Sequence, residues 1–488
     1  MSKPKQAMPI RFGTDGWRAV IAQDYTFANV ERVAQAYARH LLGEHDAARA
    51  TKTREPEAKA TSAPLVVVGY DRRFMSELFA ARAVTVLTGN RIAVEAFDTD
   101  VPTPLVSWAV RDLGAAGGVV ITASHNPAEF NGFKIKAAWG GSATPETTRA
   151  VESLVDAEPV ARGELPTGSQ SRLEPSIASY REQIASYVDL ERLRATLGRV
   201  IVDPIHGTGG RWVESFLAGG PLEVETIRAE RDPRFGGVAP EPIDRNLAPL
   251  KQRVKETGAL VGLATDGDAD RLGAVNERGE TMTMHEVVPL ILLHLARVRG
   301  MTGGVVRTFS QSVLTKRIAA AHNLKLYETP IGFKYVADLM LREDILIGAE
   351  ESGGIGVKGH LPERDGILNS LLLLETIVAA GKSPSEMVSE MHREFGEFYY
   401  DRRDITSEVA RGLELVRELA AQPPPKIADF DVVSVEKIDG TKLLFADESW
   451  LLFRQSGTEP LLRIYCEATS TQKRERLLNA GVELAAHK

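Results

Sequence analysis

A short apolar run that leads into a polar, glycine-containing loop occurs three times in this chain of 488 residues. The three cases are GGVVI before TASHNP, ALVGLA before TDGDADR and DILIGA before EESGG. A continuous apolar run of this length is typical of a buried parallel strand. In open α/β sheets, ligands bind at the carboxyl ends of such strands. The recurrence therefore predicts an α/β fold whose strand-end loops are the candidate binding sites.

The chain length predicts three or four domains, at roughly 100–200 residues each. Alternating strand and helix patterns in the N-terminal part favour α/β units, and a Pro-, Gly- and Ser-rich stretch over 145–176 indicates the first boundary. We predict α/β domains over 1–165, 176–284 and 285–395, and a smaller α+β domain over 396–488. Within the first domain we expect a helix over FANVERVAQAYARHLL and a surface loop over EHDAARATKTREPEAKATSA.

The composition excludes several classes of protein. The net charge of −7 and the pI of about 5.9 provide no broad basic surface for nucleic acid. The N-terminus has no secretory h-region, and the most apolar stretches are shorter than the ~18 residues of a membrane span. The lone Cys466 lies in the strand-like LLRIYCEA and is expected to be a small buried residue. We therefore expect a cytoplasmic protein without a membrane or nucleic-acid partner; the oligomeric state has no signal in the sequence.

The TDGDADR loop places Asp266, Asp268 and Asp270 at alternate positions. Three carboxylates so close repel one another unless a cation neutralises them, and hard oxygen ligands suit Mg²⁺. An EF-hand is the main competitor, but Arg271 stands at the sixth position, where that loop needs glycine, and strand-like segments flank the loop. The alternative without a bound metal is a solvated acidic turn. Arg271 could make a bidentate contact with a phosphoryl group beside the metal.

The TASHNP loop leaves three interpretations of Ser124 open. It could cap a helix, although NPAEFNGFKIK looks like a turn followed by a strand. It could be a hydrolase nucleophile assisted by His125, although the surrounding residues do not form G-x-S-x-G. It could carry a phosphoryl group, whose negative charge would need cationic partners such as a metal ion. The neighbouring aspartate loop favours the third interpretation.

Other loops offer groups that bind phosphates or sugars. RQSGTEP has a guanidinium and hydroxyl groups for a phosphate, although no P-loop motif occurs, and EESGG has carboxylates and a hydroxyl for sugar hydroxyls. Three further motifs, FGTDGWR, NGFK and TPIGFK, end in a cation that could contribute to a local positive field. The candidate residues from these loops are Arg18, Lys134, Lys334, Glu350, Ser352, Arg454, Ser456, Gly457 and Thr458.

Taken in order, these motifs resemble those of the α-D-phosphohexomutase family of phosphoglucomutases and phosphomannomutases, over nearly the whole chain. The resemblance implies three related α/β domains with mixed sheets and a C-terminal α+β domain around a central cleft. It implies Ser124 as a phosphoserine that also ligates Mg²⁺ with Asp266, Asp268 and Asp270. It places four residues around the transferring phosphoryl group: Arg18, His125, Lys134 and Arg271. It implies that Glu350 and Ser352 bind the sugar hydroxyls. The residues implied to bind the non-reacting phosphate are Arg454, Ser456, Gly457 and Thr458.

The implied reaction moves a phosphoryl group between C1 and C6 of a hexose phosphate through a sugar 1,6-bisphosphate. Glucose 1-phosphate is the expected substrate and glucose 6-phosphate its product, and the mannose phosphates are a second expected substrate–product pair. Glucose 1,6-bisphosphate is the expected activator. The alternatives are a phosphoglucosamine mutase, a hexose-1,6-bisphosphate synthase and an inactive sugar-phosphate-binding protein. Gly354 stands where some relatives carry a histidine, which leaves the general acid or base open between His125 and Lys134, with Arg364 as a candidate substitute contact.

Overall fold

The computed structural model describes residues 10–13, 15–52, 63–456 and 460–486. The chain divides into two compact units. The first runs up to Leu272 and includes the later segment Gly359–Leu371. The second comprises Gly273–Lys358 and the chain from Leu372 onward. The chain therefore changes units three times: within a strand that contains Leu272, after Lys358, and within a helix that contains Leu371.

The first sheet, in the first unit, carries TASHNP at the end of its central strand. Its strands are β1 Trp17–Val20, β2 Leu65–Tyr70, β3 Ala93–Ala96, β4 Gly117–Ile121 and β5 Phe130–Ala137. They lie in the order β1-β5-β4-β2-β3; β2 is parallel to β3 and β4, whereas β5 runs antiparallel to β4 and β1. The helices are α1 Phe27–Lys52, α2 Ser76–Gly89, α3 Thr103–Asp112 and α4 Pro145–Ser153. Every residue of β4 is buried, as its continuous apolar run predicts.

The second α/β layer is built on three parallel strands, with β6 between β7 and β8. These strands are β6 Gly198–Asp203, β7 Leu222–Thr226 and β8 Val261–Thr265. The helices are α5 Ser169–Tyr187, α6 Leu190–Ala195, α7 Trp212–Leu217 and α8 Ala248–Thr257, with 3₁₀ turns at Phe235–Gly237 and Asp244–Asn246. The chain then passes into the second unit within β9 Leu272–Val275, which forms an antiparallel pair with β10 Thr281–Met282.

The second unit contains a mixed sheet of order β12-β11-β13-β14, in which only β14 is antiparallel. Its strands are β11 Gly304–Thr308, β12 Leu326–Thr329, β13 Ile345–Ala349 and β14 Ile355–Val357. The associated helices are α9 Met284–Leu293, followed by a π-helical turn at His294–Val298, then α10 Val313–Ala321, α11 Phe333–Arg342, α12 Gly366–Ala380 and α13 Pro384–Phe395. Helix α12 is the second element in which the chain changes units.

The last sheet is antiparallel throughout and has the order β15-β20-β19-β18-β17-β16. Its strands are β15 Tyr399–Thr406, β16 Lys426–Ile427, β17 Phe430–Glu436, β18 Thr441–Phe445, β19 Trp450–Gln455 and β20 Leu461–Ala468. Helices α14 Val409–Ala421 and α15 Thr471–Ala486 contribute to its apolar core. The predicted fold class, three α/β domains with mixed sheets and a C-terminal α+β domain, is confirmed. Cys466 is fully buried in β20, as expected.

Three sequence predictions are corrected by the structure. Helix α1 continues to Lys52, through the first part of the predicted surface loop, because its alanines and charged residues favour a helix; residues 53–62 lie outside the described part. Helix α5 begins at Ser169, inside the segment assigned to a boundary, and includes Pro175. The pattern ITSEVARGLELVRELAA predicts a helix from Ile405, but strand β15 includes Ile405 and Thr406 and the helix begins at Val409. The bounds of the four predicted domains stay predictions.

No single helix in the part of the chain that the structure describes is long and apolar enough to cross a membrane. Taken together, α12 and α13 meet the length and composition criteria, but they are bent by 77° where they join. Apolar side chains along α12, among them Ile367, Leu371 and Leu374, are fully buried within the protein.

A buried carboxylate joins the two sheets of the second unit. Glu467, on β20, is fully buried and accepts hydrogen bonds from the Ser312 hydroxyl at 2.5 Å and the Val313 amide at 2.8 Å, at the start of α10. It also accepts a bond from Trp450 Nε1 at 3.0 Å. We predict that Glu467→Ala lowers the free energy of unfolding by about 2–4 kcal/mol, because three buried donors lose their acceptor.

Chemical denaturation of the full chain checks this prediction. Glu483→Ala, which removes an exposed glutamate from α15, is the matched control and should change stability by less than about 0.5 kcal/mol. Equal stability of the two variants would show that Glu467 does not hold the sheets together.

Candidate active site

The serine loop, residues 122–129, follows β4 in the first unit. Ser124 is 1% exposed and has a φ of +52°, in the left-handed region that non-glycine residues seldom adopt. Its Oγ donates a hydrogen bond of 2.8 Å to Asp266 Oδ2 and lies 3.3 Å from His125 Nδ1. The element after the loop is strand β5, which excludes the helix-cap interpretation of Ser124.

The carboxylate loop, residues 266–270, follows β8 in the same unit. Asp266, Asp268 and Asp270 are fully buried, and one oxygen of each lies within 4.8 Å of the others. Strands precede and follow the loop, which excludes an EF-hand, and complete burial excludes a solvated acidic turn. The loop is therefore a closely packed cluster of three carboxylates.

Hydrogen bonds account for some of these carboxylate oxygens and leave others without a partner. Asp266 Oδ1 accepts the backbone amides of Asp270 and Arg271, at 3.0 and 3.1 Å. Asp268 Oδ2 accepts Thr103 Oγ1 at 2.8 Å. Among the described residues, Asp268 Oδ1 and Asp270 Oδ1 are buried without a hydrogen-bond donor. Buried carboxylate oxygens without donors are a donor set that fits a hard divalent cation.

Two cations contact the Oδ2 atoms of Asp268 and Asp270. Lys134 Nζ, from β5, lies 2.8 Å from Asp268 Oδ2 and 3.2 Å from Asp270 Oδ2. Arg364, from the segment that joins the first unit late in the chain, lies 3.0 Å from Asp270 Oδ2. Both also contact Asp15 Oδ2 at 2.9 Å. The Oδ1 atoms of Asp268 and Asp270 have no hydrogen-bond donor among the described residues, although Arg271 Nε lies 3.9 Å from Asp270 Oδ1.

The pKa directions reflect this arrangement. Burial, together with the charges of Asp268 and Asp270, holds the pKa of Asp266 well above its usual value. Burial would also raise the pKa of Asp268, but the Lys134 ammonium outweighs it and lowers that pKa. Burial would lower the pKa of Lys134, but the neighbouring carboxylates, led by Asp15, raise it. Lys134 is therefore an ammonium group held among carboxylates.

The remaining cations predicted for the first unit lie around the serine loop. Arg18, on β1, donates from Nη1 to Asn126 Oδ1 at 2.5 Å. Arg271 is 9% exposed, and its Nε has no hydrogen-bond partner among the described residues. Burial and the charges of Arg271, Arg18 and Lys134 hold the pKa of His125 well below its usual value, so the imidazole is neutral. The structure thus gathers the four residues predicted around a phosphoryl group within electrostatic range of one another.

In the second unit, the EESGG loop follows β13. Glu350 is 5% exposed, and its backbone amide donates to the Gly354 carbonyl at 2.9 Å, which closes the loop. Ser310 Oγ donates to Glu351 Oε2 at 2.6 Å, and Ser352 is partly exposed at the turn. Lys334 lies in the first turn of α11, with Nζ 5.0 Å from the centroid of the Tyr335 ring.

The RQSGTEP loop lies at the end of β19 in the same unit. Arg454 Nε donates to Asp439 Oδ2 at 2.9 Å, and the Ser456 amide donates to the Leu461 carbonyl at 2.8 Å. Burial would lower the pKa of Arg454, but neighbouring groups, Glu351 among them, raise it. The charges of Glu351 and Arg454 are therefore close enough to interact. The predicted phosphate contacts Gly457 and Thr458 lie outside the described residues.

Some residues of the site carry no distinctive sequence signal. Asp15 lies within a quoted motif, FGTDGWR, but only its contacts with Lys134 and Arg364 reveal its role. Thr103, at the start of α3, donates to Asp268 and has no neighbouring motif that would suggest it. The sequence suggests Arg364 only as a substitute contact where some relatives carry a histidine, and its observed partners include the carboxylates of Asp15 and Asp270.

The serine and carboxylate loops approach so closely that only glycine fits between them. A Cβ on Gly267 would lie 2.5 Å from the Ser124 carbonyl oxygen. On the other side, a Cβ on Gly207 would lie 2.8 Å from the carbonyl oxygens of Asp266 and Gly267. The backbone positions of the two loops are therefore coupled directly.

We predict that Gly267→Ala weakens binding of Mn²⁺, used as a probe of the carboxylate cluster, by about 10- to 100-fold. The added methyl group must push the carboxylate loop away from the Ser124 carbonyl. Isothermal titration calorimetry measures the effect, and Gly43→Ala is the matched control because a Cβ there meets nothing within 4 Å. Unchanged Mn²⁺ affinity in Gly267→Ala would contradict the coupling of the two loops.

Models of one protein family match the chain in four consecutive stretches. The descriptions are phosphoglucomutase/phosphomannomutase, alpha/beta/alpha domain I for residues 9–161, domain II for 178–279 and domain III for 284–395. The C-terminal domain of the same family matches 408–484. The matches follow the order of the four sheets.

Relatives of known sequence and structure agree with these matches. A phosphoglucomutase/phosphomannomutase of Thermococcus kodakarensis is 31% identical over 97% of this chain and 98% of its own. A phosphoglucosamine mutase of Moorella thermoacetica is 29% identical, over 97% and 98%. A crystal structure of a provisionally assigned phosphomannomutase from Thermus thermophilus is 36% identical, covers 99% of this chain and 100% of its own, and superposes with a TM-score of 0.85. The chain therefore belongs to the phosphoglucomutase/phosphomannomutase family, as its loop motifs predict.

Proposed function

We propose that this protein is a phosphohexomutase that transfers a phosphoryl group between C1 and C6 of a hexose phosphate through Ser124. The observation that carries the proposal is the position of Ser124 Oγ, 2.8 Å from Asp266 Oδ2 and beside a buried carboxylate cluster. A serine hydrolase would need an acyl-transfer site around this serine, where an oxyanion develops during the reaction. The carboxylates of the acidic cluster would repel that oxyanion unless a cation were present. A phosphoserine bound together with a cation is compatible with the same carboxylates.

The proposed cycle conserves the phosphoryl group. A hydroxyl of the sugar phosphate attacks phosphoserine 124: the new P–O bond forms, the P–Oγ bond breaks, the hydroxyl proton leaves to a base, and Ser124 Oγ takes up a proton. The resulting sugar 1,6-bisphosphate turns round. Ser124 Oγ then attacks the phosphorus at the other end, the P–O bond to the sugar breaks, and the serine proton passes by way of the base to the sugar oxygen. Lys134, Arg18 and Arg271 stabilise the transferring charge as fixed cations, and His125 lies beside Oγ. His125 and Lys134 are the two candidates for accepting the proton; the neutral imidazole supports His125, because Lys134 is held as an ammonium group among carboxylates.

The carboxylate cluster fits Mg²⁺. We propose that Asp266 Oδ2, Asp268 Oδ1 and Asp270 Oδ1 hold the ion together with an oxygen at Ser124. When bound, Mg²⁺ would neutralise the carboxylates and polarise the phosphoryl group. The two carboxylate oxygens without donors support this assignment, because burial without a partner is costly for a charged oxygen.

The loops of the second unit are proposed to recognise the rest of the substrate. Glu350 and Ser352 would accept and donate hydrogen bonds to sugar hydroxyls, and Lys334 would contribute positive charge. The phosphate that is not reacting would bind at the RQSGTEP loop, to Arg454, Ser456, Gly457 and Thr458. The raised pKa of Arg454 supports a permanently charged guanidinium there.

Two substrate classes are supported to a comparable degree. Glucose phosphates, with mannose phosphates as a second pair, are supported by the Thermococcus relative and by the sugar loop EESGG, which has Glu351 before Ser352 where mutases of the glucosamine type tend to carry Gln. Glucosamine phosphates are supported by relatives such as the Moorella phosphoglucosamine mutase. A hexose-1,6-bisphosphate synthase would use the same residues but release the intermediate.

We predict that the purified wild-type chain carries one phosphate after incubation with glucose 1,6-bisphosphate and that Ser124→Ala carries none. The variant should lose at least about 1,000-fold in kcat, because the phosphoryl acceptor is absent. Intact-mass spectrometry and a coupled assay measure the two effects. Ser153→Ala, which removes an exposed hydroxyl on α4, is the matched control and should behave as wild type. Activity retained by Ser124→Ala would overturn the proposed function.

If Glu351 in the sugar loop determines the preference, kcat/KM on glucose 1-phosphate should exceed that on glucosamine 1-phosphate by at least about 10-fold. Mannose 1-phosphate should fall close to glucose 1-phosphate. Initial rates on the three substrates, with and without glucose 1,6-bisphosphate, make the comparison. A preference for glucosamine 1-phosphate would assign the second substrate class, and net accumulation of bisphosphate would indicate the synthase.

A further inference from the structure

A fully buried arginine lies against the serine loop and has no part in the proposed chemistry. Arg73 is 0% exposed. Its guanidinium donates hydrogen bonds of 2.6–2.9 Å to four backbone carbonyl oxygens, those of Ser124, Asn126, Pro127 and Phe130. One side chain thus determines the path of the loop from the serine to the start of β5. The five donors of an arginine in a rigid fork suit this arrangement, and an ammonium group could not reproduce it.

A buried carboxylate holds Arg73 in turn. Asp71, also 0% exposed, accepts the Arg73 amide at 3.0 Å and the Arg73 Nε at 3.1 Å. The same carboxylate accepts the Ser76 hydroxyl at 2.8 Å, at the start of α2. The Asp71–Arg73 pair is therefore anchored to α2, on a regular element rather than on a second loop.

Thr122 holds the other side of Ser124. Thr122 Oγ1 accepts the Ser124 amide at 2.9 Å. Burial raises the pKa of the Asp71 carboxyl, and Arg73 and Thr122 are among the groups that oppose this shift, so Thr122 lies in the electrostatic surroundings of Asp71. The Ser124 amide is thus held through Thr122, and the Ser124 carbonyl is held by Arg73 at 2.6 Å. We call Asp71, Arg73 and Thr122 the serine clasp.

The clasp acts where the backbone is unusual. Ser124 has a φ of +52°, which an L-residue keeps only when its surroundings impose it. This conformation directs Oγ towards Asp266 at 2.8 Å. If the hydrogen bonds to the amide and carbonyl of Ser124 were lost, the residue could return to the negative φ that most residues adopt. Oγ would then turn away from the carboxylate cluster.

We propose that the serine clasp is a positioning device that fixes Ser124, free and phosphorylated, in the conformation needed for phosphoryl transfer. The inference rests on the proposed function and adds three residues to it. None of the three is assigned a contact with the transferring group. A displacement of the reacting atom by about 1 Å can cost about 100-fold in rate, which sets the expected effect.

Paired substitutions in the full chain test the clasp. Thr122→Val keeps the shape of the side chain but removes the hydroxyl that accepts the Ser124 amide, and Thr122→Ser retains that hydroxyl. Arg73→Lys keeps the charge but removes most of the carbonyl contacts. Arg72→Lys is the matched control, because Arg72 contacts Asp100 and the Ala229 carbonyl rather than the serine loop.

The expected result separates positioning from general stability. In Thr122→Val and Arg73→Lys, kcat should fall about 100-fold with KM within about threefold, in samples shown to be folded by thermal melting. The ³¹P resonance of the phosphoserine should shift in both variants. Thr122→Ser and Arg72→Lys should keep the wild-type kcat and resonance.

Each other outcome is decisive. If folded Thr122→Val and Arg73→Lys keep the wild-type kcat and ³¹P resonance, the positioning role is wrong although the proposed function stands. If Arg73→Lys does not fold, Thr122→Val and Thr122→Ser decide alone. A wild-type chain that takes no phosphoryl group overturns the proposed function and the clasp with it.

Discussion

The mutual repulsion of three buried carboxylates is the constraint on which the site depends. Asp266, Asp268 and Asp270 are fully buried within 4.8 Å of one another, and water cannot screen them. Lys134 and Arg364 neutralise one side of the cluster and leave two oxygens on the other side without donors. In the proposed function, an additional cation would complete the balance. A phosphoryl group on the adjacent serine would then meet positive charge rather than the negative field of the carboxylates.

The fold provides this arrangement by placing the loops at the ends of two strands in direct backbone contact. Ser124 follows β4 and the aspartates follow β8, and glycine at position 267 lets the two backbones touch. The loops therefore cannot shift independently of each other. The clasp of Asp71, Arg73 and Thr122 gives the serine loop a second anchor, on α2. Rigidity of this kind suits a reaction whose catalysis is mainly positioning and neutralisation of charge.

Much of this architecture is predictable from the sequence because local patterns carry it. Apolar runs identify β4, β8 and β13, and the spacing of the three aspartates identifies the cluster. The partners of that cluster are less predictable, because Lys134 and Arg364 come from distant segments and only the folded chain shows which oxygen each one occupies. The role of Arg73 cannot be predicted from the sequence for the same reason. An arginine after a strand has the sequence pattern of a surface charge, yet Arg73 is fully buried.

The direct test of the central claim follows the phosphate itself. Phosphorylated, unlabelled protein in excess is mixed with glucose 1-phosphate, or the preferred hexose 1-phosphate, that carries ¹⁸O in its phosphate, for a single turnover. The account predicts that the 6-phosphate product is unlabelled and that the ¹⁸O-phosphate appears on Ser124, because the enzyme gives its own group first. A labelled product with an unlabelled protein would show that the phosphate moved without passing through Ser124, and would contradict the account.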